Sequence, residues 1–349
     1  MTMLAVLTVR NEAAFLLEWL AHHRAVGFTD FLVFSNDCSD GTDMMLDRLQ
    51  AMGWLIHHRN RGPFDKRGIQ FTALKSAQKD PSVQNAEWIL PLDVDEFVNI
   101  HTGDGTLDAL RAALPDATAI TLTWRLFGSS DKVRFEDAPI CTQFTRAAPE
   151  VLHWPWRAAM FKTLYRNNGT YQKLGVHRPR APVPDKLDQA HWFDGAGRAL
   201  DDQFKTRRIF SNFGRQNYSL AQLNHYPLGA MESYILKAAR GRAVHSDHML
   251  DLDYWVERNW NIDTDTSIAR YQEASAAIRS ELMHDPVLAD LHTRAVAWRK
   301  SKFEELMLEE PYRALFGRLL MAPPTRAVSP KAARFIVEFA NKARTLAAT

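Results

Sequence analysis

Short apolar runs alternate with amphipathic stretches from the N-terminus to about residue 125. After the first run, apolar residues recur at helical spacing at Phe15, Leu16, Trp19 and Leu20, and Gly27 suits the end of that helix. Alternating strands and helices predict an α/β fold with a mostly parallel central sheet and helices on both faces. Four runs predict its buried strands: "LAVLTV" at 4–9, "FLVFS" at 31–35, "WLIHH" at 54–58 and "EWILPLD" at 87–93.

A polar cluster follows each of these predicted strands. In a mostly parallel sheet, ligands bind beyond the carboxyl ends of the strands, so polar residues placed there are expected to line one site. The sequence therefore predicts a binding site at one edge of the sheet. The clusters are Asn11, residues 36–40, residues 65–67 and residues 93–96.

The pattern changes in the second half of the chain. Between about 125 and 225, segments rich in Trp, Arg, Pro and Gly predict loops over a site. Residues 230–242 predict a helix that stops at Gly241, and amphipathic helix continues from residue 285 to the end with a Pro-rich break at 322–330. We expect one domain at 1–245, with site-covering loops at about 125–225, and a helical C-terminal extension at 246–349.

Composition narrows the class of protein. Among 349 residues, 46% are apolar and 24% charged, as in ordinary globular proteins. The net charge of +2 argues against a nucleic-acid partner. Two cysteines, Cys38 and Cys141, provide neither a disulfide framework nor a cysteine-based zinc site. With no charged leader and no apolar run of about 18 residues, we expect a cytoplasmic protein.

The segment "WILPLDVDEF" (88–97) places three carboxylates at the end of an apolar strand. Unpaired buried charge is costly, so these groups require a partner. Asp93 and Asp95 are two residues apart and face the same side of an extended chain. Hard oxygen ligands suit Mg²⁺ or Mn²⁺, which commonly bind through one or two carboxylates and substrate phosphates. A solvated turn is the alternative interpretation.

Several segments together resemble the nucleotide-sugar domain of GT-A glycosyltransferases, most closely families 2 and 92. They are "VRNEAAFLLEWLAHHRAVGFTDFLVFSNDCSDGT", "PLDVDEF", "WRLFGSS", "GVHRP" and "LNHYPLGAMESYILKAARGR", and the resemblance covers about residues 3–245. It implies a Rossmann-like GT-A fold and a metal-dependent transferase. The implied donor is a nucleotide-sugar, preferably UDP-linked, and the implied acceptor a carbohydrate or lipid-linked glycan. Inversion and a place in surface polysaccharide synthesis follow from the same resemblance.

The resemblance also implies roles for individual residues. Asp95 would bind the metal, and Asp93 the ribose or the metal. Asn36 stands where many family 2 members have an aspartate, which leaves the contact with the base less defined. Lys66 and Arg67 either face the diphosphate or form a solvated turn. The implied donor-binding residues are Arg10, Asn11, Asn36, Asp40, Lys66, Arg67 and Asp93.

Many GT-A enzymes add a histidine to the metal. His225 in "LNHYP" is the preferred candidate and His177 in "GVHRP" the alternative. The base that takes the acceptor proton is open among His177, Asp131 and Glu96, because the only early Glu-Asp pair, at 136–137, follows the aspartates too closely for family 2. The implied catalytic residues are Asp95, His177, Asp131 and Glu96.

Two other functions fit parts of the sequence. A haloacid-dehalogenase-like phosphatase also carries D-x-D after an apolar strand, but usually on its first strand. A nucleotide- or glycan-binding module could keep the fold without turnover. The alternating basic and apolar residues of "PYRALFGRLL" (311–320) raise peripheral membrane association through the C-terminal helices as a further hypothesis.

Overall fold

The computed structural model describes residues 1–64, 68–240 and 250–346. Three short 3₁₀ helices, Trp156–Ala159, Pro184–Gln189 and Ser267–Tyr271, supplement the regular elements. The strands are β1 Met3–Val9, β2 Asp30–Ser35, β3 Ile56–Arg59, β4 Trp88–Leu92, β5 Glu96–Ile100, β6 Ala119–Leu126, β7 Arg146–Ala147, β8 Phe161–Arg166, β9 Tyr171–Lys173, β10 Arg180–Pro182, β11 Trp192–Asp194, β12 Ala221–His225 and β13 Asp263–Thr264. The helices are α1 Ala13–Val26, α2 Thr42–Ala51, α3 Ile69–Ala77, α4 Pro81–Asn85, α5 Leu107–Ala113, α6 Ile140–Gln143, α7 Asp202–Thr206, α8 Met231–Arg240, α9 Leu252–Val256, α10 Gln272–Met283, α11 Pro286–Met307, α12 Glu310–Met321 and α13 Pro330–Leu346.

Nine strands form the central sheet. Their order is β3-β2-β1-β4-β8-β6-β12-β5, with β11 paired to β6. Strands β3, β2, β1 and β4 run parallel, as do β11, β6 and β12, whereas β8 and β5 are antiparallel to their neighbours. The predicted mostly parallel α/β sheet is thus confirmed.

The sequence of strand β1 is a continuous apolar run because both faces of the strand are buried. Its alternate residues Ala5 and Leu7 face one hydrophobic core with α1, while Leu4 and Val6 face a second core with α3. Because helices cover both faces of the sheet, neither side of β1 meets water and neither needs polar residues.

The register of β5 brings two distant parts of the chain together. After β4, the turn containing Asp93 and Asp95 leads into β5, which pairs with β12 rather than with β4. Glu96 lies opposite His225 in this antiparallel pair. The end of β12 therefore lies directly beside the acidic turn.

The C-terminal helices pack onto the sheet domain. Helix α11 contacts α1, α2 and α8. The carboxylate of Asp285 caps its first turn at Leu288 N, 3.0 Å away, and also pairs with Arg48 of α2 at 2.5 Å. Leu288 and Leu291 join the same hydrophobic core as the sheet.

The predicted strands at 4–9, 31–35, 54–58 and 87–93 correspond to β1 to β4, and the Pro-rich break at 322–330 separates α12 from α13. Residues 125–225 hold more than loops, because β8, β11 and β12 all belong to the central sheet. The predicted helix stop at Gly241 and the domain boundary at 245–246 lie outside the described residues. Over the described ranges, no helix combines the length and apolar character needed to cross a membrane.

Candidate active site

A cavity of about 480 Å³ opens at the carboxyl ends of β1, β2 and β4. This volume is in the range of small-molecule sites. Its wall combines residues from the first 100 positions with others from the region beyond residue 120. Among the predicted site residues, those that line it are Arg10, Asn36, Asp93, Asp95, His177 and His225.

Asp93 is held by a buried polar cluster below the cavity. Gln70 Nε2 donates to its Oδ1 at 2.8 Å, and Lys162 Nζ of β8 donates to its Oδ2 at 2.8 Å. Lys162 is fully buried and also lies 3.3 Å from Glu96. Burial lowers the pKa of Lys162, but the charges of Asp93 and Glu96 outweigh it and raise that pKa above its ordinary value.

Glu96 is the innermost member of this cluster. Its Oε1 accepts from Trp124 Nε1 at 2.6 Å, and its Oε2 accepts from the backbone N–H of Asp93 at 2.8 Å. Burial raises the pKa of Glu96 to about 8, against the opposing charge of Lys162. Glu96 is completely buried and lies behind the wall of the cavity, where it fixes the turn that carries Asp93.

Asp95 has more accessible partners. Lys237 Nζ of α8 donates to its Oδ2 at 2.7 Å and to the carbonyl of Pro227 at 2.7 Å. His225 Nε2 lies 3.6 Å from its Oδ1, too far for a hydrogen bond. Burial would raise the pKa of Asp95, but Lys237 and His225 overcome that effect and hold it well below its usual range.

The geometry around Asp95 fits a divalent cation. Nδ1 of the buried His225 has no hydrogen-bond partner within the described part of the chain, and its Nε2 faces Asp95 at 3.6 Å, so the ring has unused ligand capacity. Two protein ligands leave positions for diphosphate oxygens and water, as Mg²⁺ commonly prefers. The described ranges contain no group of three or more His, Cys, Asp or Glu residues arranged to hold a metal ion by themselves.

The predicted nucleotide side falls at the ends of β1 and β2. Asn36 is buried beside the cavity, and Arg10 lines it. Asn11 has a positive φ of 53° and accepts from Ser39 N at 2.7 Å, so it ties the two turns together. Asp40 is buried and its carboxylate accepts from the backbone N–H of Ala13 at 3.0 Å.

Asn11 and Asp40 therefore organise the strand-end turns from behind, because neither lines the cavity of about 480 Å³. Lys66 and Arg67 lie outside the described residues.

The base candidates occupy different surroundings. His177 Nδ1 lies 3.0 Å from the carbonyl of Phe161, which can only accept, so Nδ1 carries the proton and Nε2 is the acceptor of the neutral ring. Burial, with a contribution from Lys162, lowers the pKa of His177 to about 4. Asp131 is exposed, bonds to Asn261 at 3.1 Å and does not line this cavity.

Sequence reasoning missed the cations that pair with the acidic turn. Lys162 and Lys237 each bind one aspartate, and Arg240 pairs with Glu12 and donates to the carbonyl of Arg10 at 2.6 Å. A signal for Lys162 existed: a lysine inside the apolar stretch "MFKTLY" must find a buried counter-charge. Lys237 sits in an amphipathic helix, where a lysine has no distinguishing mark.

The strand order, the mostly parallel direction and the helices on both faces define an α/β fold of the GT-A type. A sequence profile of glycosyltransferase family 92 matches residues 5–192, more than half of the 349-residue chain. The chain belongs to glycosyltransferase family 92. This membership argues against the phosphatase alternative.

Plant relatives match part of the chain. A glycosyltransferase family 92 protein of Oryza sativa subsp. japonica is 26% identical over 149 residues, covering 41% of this chain and 24% of the rice protein. One of Ricinus communis is 28% identical over 106 residues, covering 30% of this chain and 18% of that protein. The matched segments thus span about a quarter or less of these relatives.

Solved structures with some likeness are also glycosyltransferases. S. aureus TarS residues 1–349 in complex with UDP has a TM-score of 0.33 at 14% identity, covering 90% of this chain and 92% of that chain. Glucosyl-3-phosphoglycerate synthase from Mycobacterium tuberculosis has a TM-score of 0.24 at 17% identity, covering 36% of this chain and 44% of that chain. Scores this low do not transfer any property to this protein.

Proposed function

We propose that this protein transfers a sugar from a nucleotide-sugar, preferably UDP-linked, to a hydroxyl of a carbohydrate or lipid-linked glycan, with inversion at the anomeric carbon. The observation that carries the proposal is the pairing of Asp95 with His225 at the edge of the family 92 sheet, next to a cavity of about 480 Å³. Surface-glycan assembly is the setting that this chemistry suits.

The donor would lie across the ends of β1, β2 and β4. Asn36 and Arg10 would contact the base, and Asp93, fixed by Gln70 and Lys162, would accept from a ribose hydroxyl. Lys237 would leave Asp95 to meet the diphosphate as a point charge. Asp95 and His225 would hold a Mn²⁺ or Mg²⁺ ion, which supplies neutralisation of the charge on the departing diphosphate.

The transfer itself is a displacement at the anomeric carbon. The acceptor oxygen forms a bond to that carbon as the bond to the diphosphate oxygen breaks, and the diphosphate leaves with the electron pair. The acceptor proton goes to a base. His177 is the best-placed candidate because it lines the cavity and its Nδ1–H, bonded to Phe161, leaves Nε2 as the acceptor, although its lowered pKa makes it a weak base. Asp131 and Glu96 stay predictions.

Thermal-shift titration of UDP, GDP and CDP, each with Mn²⁺, Mg²⁺ or EDTA, tests the donor site. A ligand that binds the folded state raises the melting temperature. We expect a rise with UDP and Mn²⁺ or Mg²⁺ that EDTA and Asp95→Ala abolish. The matched control is Asp104→Ala, an exposed aspartate that bonds only within its own turn to Thr106. No shift with any nucleotide would contradict the proposal.

Turnover separates an enzyme from a binding module. Release of UDP from UDP-sugars is measured with and without glycan acceptors for wild type, His177→Gln and Asp131→Asn. We expect His177→Gln to lose turnover while keeping nucleotide binding, and Asp131→Asn to keep both. The opposite result would assign the base to Asp131, and binding without turnover in wild type would favour the module.

We also propose peripheral membrane association through the C-terminal helices. In α12, Leu315 and Leu319 are buried against the protein, but Leu320 and Met321 at its end are exposed. Helix α13 adds Phe335, 62% exposed, and Phe339, 55% exposed. Lys342 Nζ of α13 lies 5.1 Å from the ring centre of Phe339. The protein should co-sediment with vesicles that contain anionic lipid. It should no longer do so when both phenylalanines are changed to serine. A cytoplasmic location stays a prediction.

A further inference from the structure

A second cavity of about 310 Å³ lies on the helical side of the acidic turn. It is enclosed by the start of α1, by α8 and α11, and by the segment 135–144. The wall that it shares with the donor cavity is formed by Arg10, Glu12, Val94, Asp95, Lys237 and Arg240. Asn36, Asp93, His177 and His225 do not line it. It is therefore a separate space behind the donor cavity.

Arg299 of α11 is the central charged group of this second cavity. Its side chain is only 6% exposed, and its guanidinium lies 4.4 Å from the ring centre of Phe15 and 4.9 Å from that of Phe135. The nearest carboxylate is Glu12, with Oε2 at 4.0 Å. Glu12 is itself engaged by Arg240 through its other oxygen.

No hydrogen bond from Arg299 to any other described residue is present, and its Nε is buried without an acceptor. Burial lowers the pKa of Arg299 to about 10, although Glu12 opposes that effect. A guanidinium has five N–H donors, and buried charges are normally satisfied by hydrogen bonds. The two phenyl rings contact the faces of the guanidinium, but they offer no hydrogen-bond acceptor to the N–H groups along its edge.

The rest of the lining combines charged groups with apolar surface. Arg10 and Lys302 add cations, and Glu136, which pairs with Lys132, adds a carboxylate. Trp298, Phe144 and Leu306 provide apolar walls. The volume reaches the lower end of the range for small-molecule sites. A phosphate or carboxylate could accept from the guanidinium edge in a bidentate manner while an apolar or aromatic body fills the remaining space.

We propose that this second cavity binds a small molecule that carries a phosphate or carboxylate on an apolar body, with the anion on Arg299. Nothing in the donor site requires this ligand, so the proposal is independent of the transferase reaction. Its position behind Asp95 and Lys237 means that a bound ligand would touch the wall of the donor cavity from the other side.

Isothermal titration with three probes of equal body tests this proposal: phenyl phosphate, benzoate and uncharged phenol. The titrations use wild type, Arg299→Gln, Arg294→Gln and Arg258→Gln. Arg294 is an exposed arginine of the same helix, and Arg258 is a cation of the donor cavity. Charged hydrogen bonds contribute about 1.5–3 kcal/mol, so we expect at least tenfold weaker anion binding in Arg299→Gln and no change in the other two.

Whichever of phenyl phosphate and benzoate binds more tightly identifies the charged group of the ligand. Uncharged phenol should bind far more weakly than either. Equal binding in wild type and Arg299→Gln, loss in Arg258→Gln instead, or no anion binding by wild type would each overturn the proposal. If Arg299→Gln does not fold, Ala239→Phe fills the cavity from α8 and leaves the charge in place. Unchanged anion binding by that folded variant would also overturn it.

Discussion

The two aspartates of the acidic turn, two residues apart, have different surroundings. Asp93 is fixed from below by Gln70 and by Lys162, a lysine with no exposed surface in the middle of the sheet. Asp95 is paired with Lys237, whose side chain is 21% exposed, and faces His225 at the end of a strand. Both carboxylates border the cavity, but the cation that holds Asp93 belongs to the folded core, whereas the cation that holds Asp95 is partly exposed.

This difference separates stability from binding within a single turn. Lys162 and Glu96 have no exposed side-chain surface, so the groups that hold Asp93 cannot move away from it without opening the sheet, although Asp93 itself is 34% exposed. The pair of Asp95 and Lys237 can exchange a lysine for a cation or a phosphate without disturbing the core. We therefore expect substitutions near Asp93 to affect folding and substitutions near Asp95 to affect ligands.

The largest effect is expected for Lys162→Met. The change leaves Asp93 and Glu96 without their buried counter-charge, which typically costs about 3–5 kcal/mol. Urea denaturation should show this loss in the free energy of unfolding. Lys205→Met, which removes an ion pair with the exposed Asp202, is the control and should cost less than about 1 kcal/mol. Similar losses in both variants would break the comparison.

Glu18 of α1 is a third carboxyl for this comparison, half-buried and held by backbone donors. It accepts from the backbone N–H of Ile140 at 2.9 Å, and burial raises its pKa to about 7. Between pH 4.5 and 7 the folded state keeps a proton that the unfolded state loses. The contribution of Glu18 to stability is therefore fully present below pH 4.5 and falls until pH 7, by an amount on the order of 3 kcal/mol.

Denaturation from pH 4.5 to 8 on wild type and Glu18→Gln measures that slope. The variant should lose this component of the fall, whatever its absolute stability, because Gln does not titrate. An identical pH profile for the two proteins would show that Glu18 is not the group responsible.

Asp95→Asn should act on ligand binding rather than on stability. Loss of a charged contact costs about 1.5–3 kcal/mol, so UDP binding in the presence of Mn²⁺ should weaken roughly 10- to 100-fold. Isothermal titration measures the affinity, and urea denaturation should give nearly the wild-type value. A large loss of stability with unchanged UDP affinity would reverse the roles of the two aspartates.

The smallest expected effect is that of Lys237→Met, which should change Mn²⁺ affinity and UDP affinity in opposite directions. Lys237 competes with a cation for Asp95, so Lys237→Met should tighten Mn²⁺ binding without nucleotide by about fivefold, or roughly 1 kcal/mol. The same variant should weaken UDP binding, since the lysine can no longer meet the diphosphate. Paramagnetic resonance of free Mn²⁺ gives the first quantity. Weaker Mn²⁺ binding would contradict the exchange of partners.

Sequence patterns predicted β1, β2 and β4 because both faces of those strands are buried and nearly all of their side chains are apolar. Strand β3 lies at the edge of the sheet, and three of its four residues are exposed, so only its preceding apolar residues Trp54 and Leu55 marked it. Strand β8 was hidden because it carries Lys162, whose partner Asp93 lies elsewhere in the fold. Lys162 lies 69 positions from Asp93, and Lys237 lies 142 positions from Asp95. Such pairs depend on three-dimensional packing, which no local pattern reports.

The predicted acidic pair and the two histidines do line one cavity. His225 reaches it because β12 pairs with β5 directly after the acidic turn, whereas His177 reaches it from the loop between β9 and β10. The outward position of Asp131 and the inward position of Glu96 depend on turn geometry instead. Asp131 has a φ of 57°, a left-handed conformation that the sequence gives little reason to expect at a non-glycine residue.

The pairing of β5 with β12 limits where the chain can be truncated. A fragment that ends at residue 192, where the family 92 match ends, would contain both aspartates but not β12. Strand β5 would then have no partner in the sheet, and β6 would become an open edge with unpaired backbone groups that invite association with other chains. The segment that identifies the family is therefore shorter than the smallest piece expected to fold.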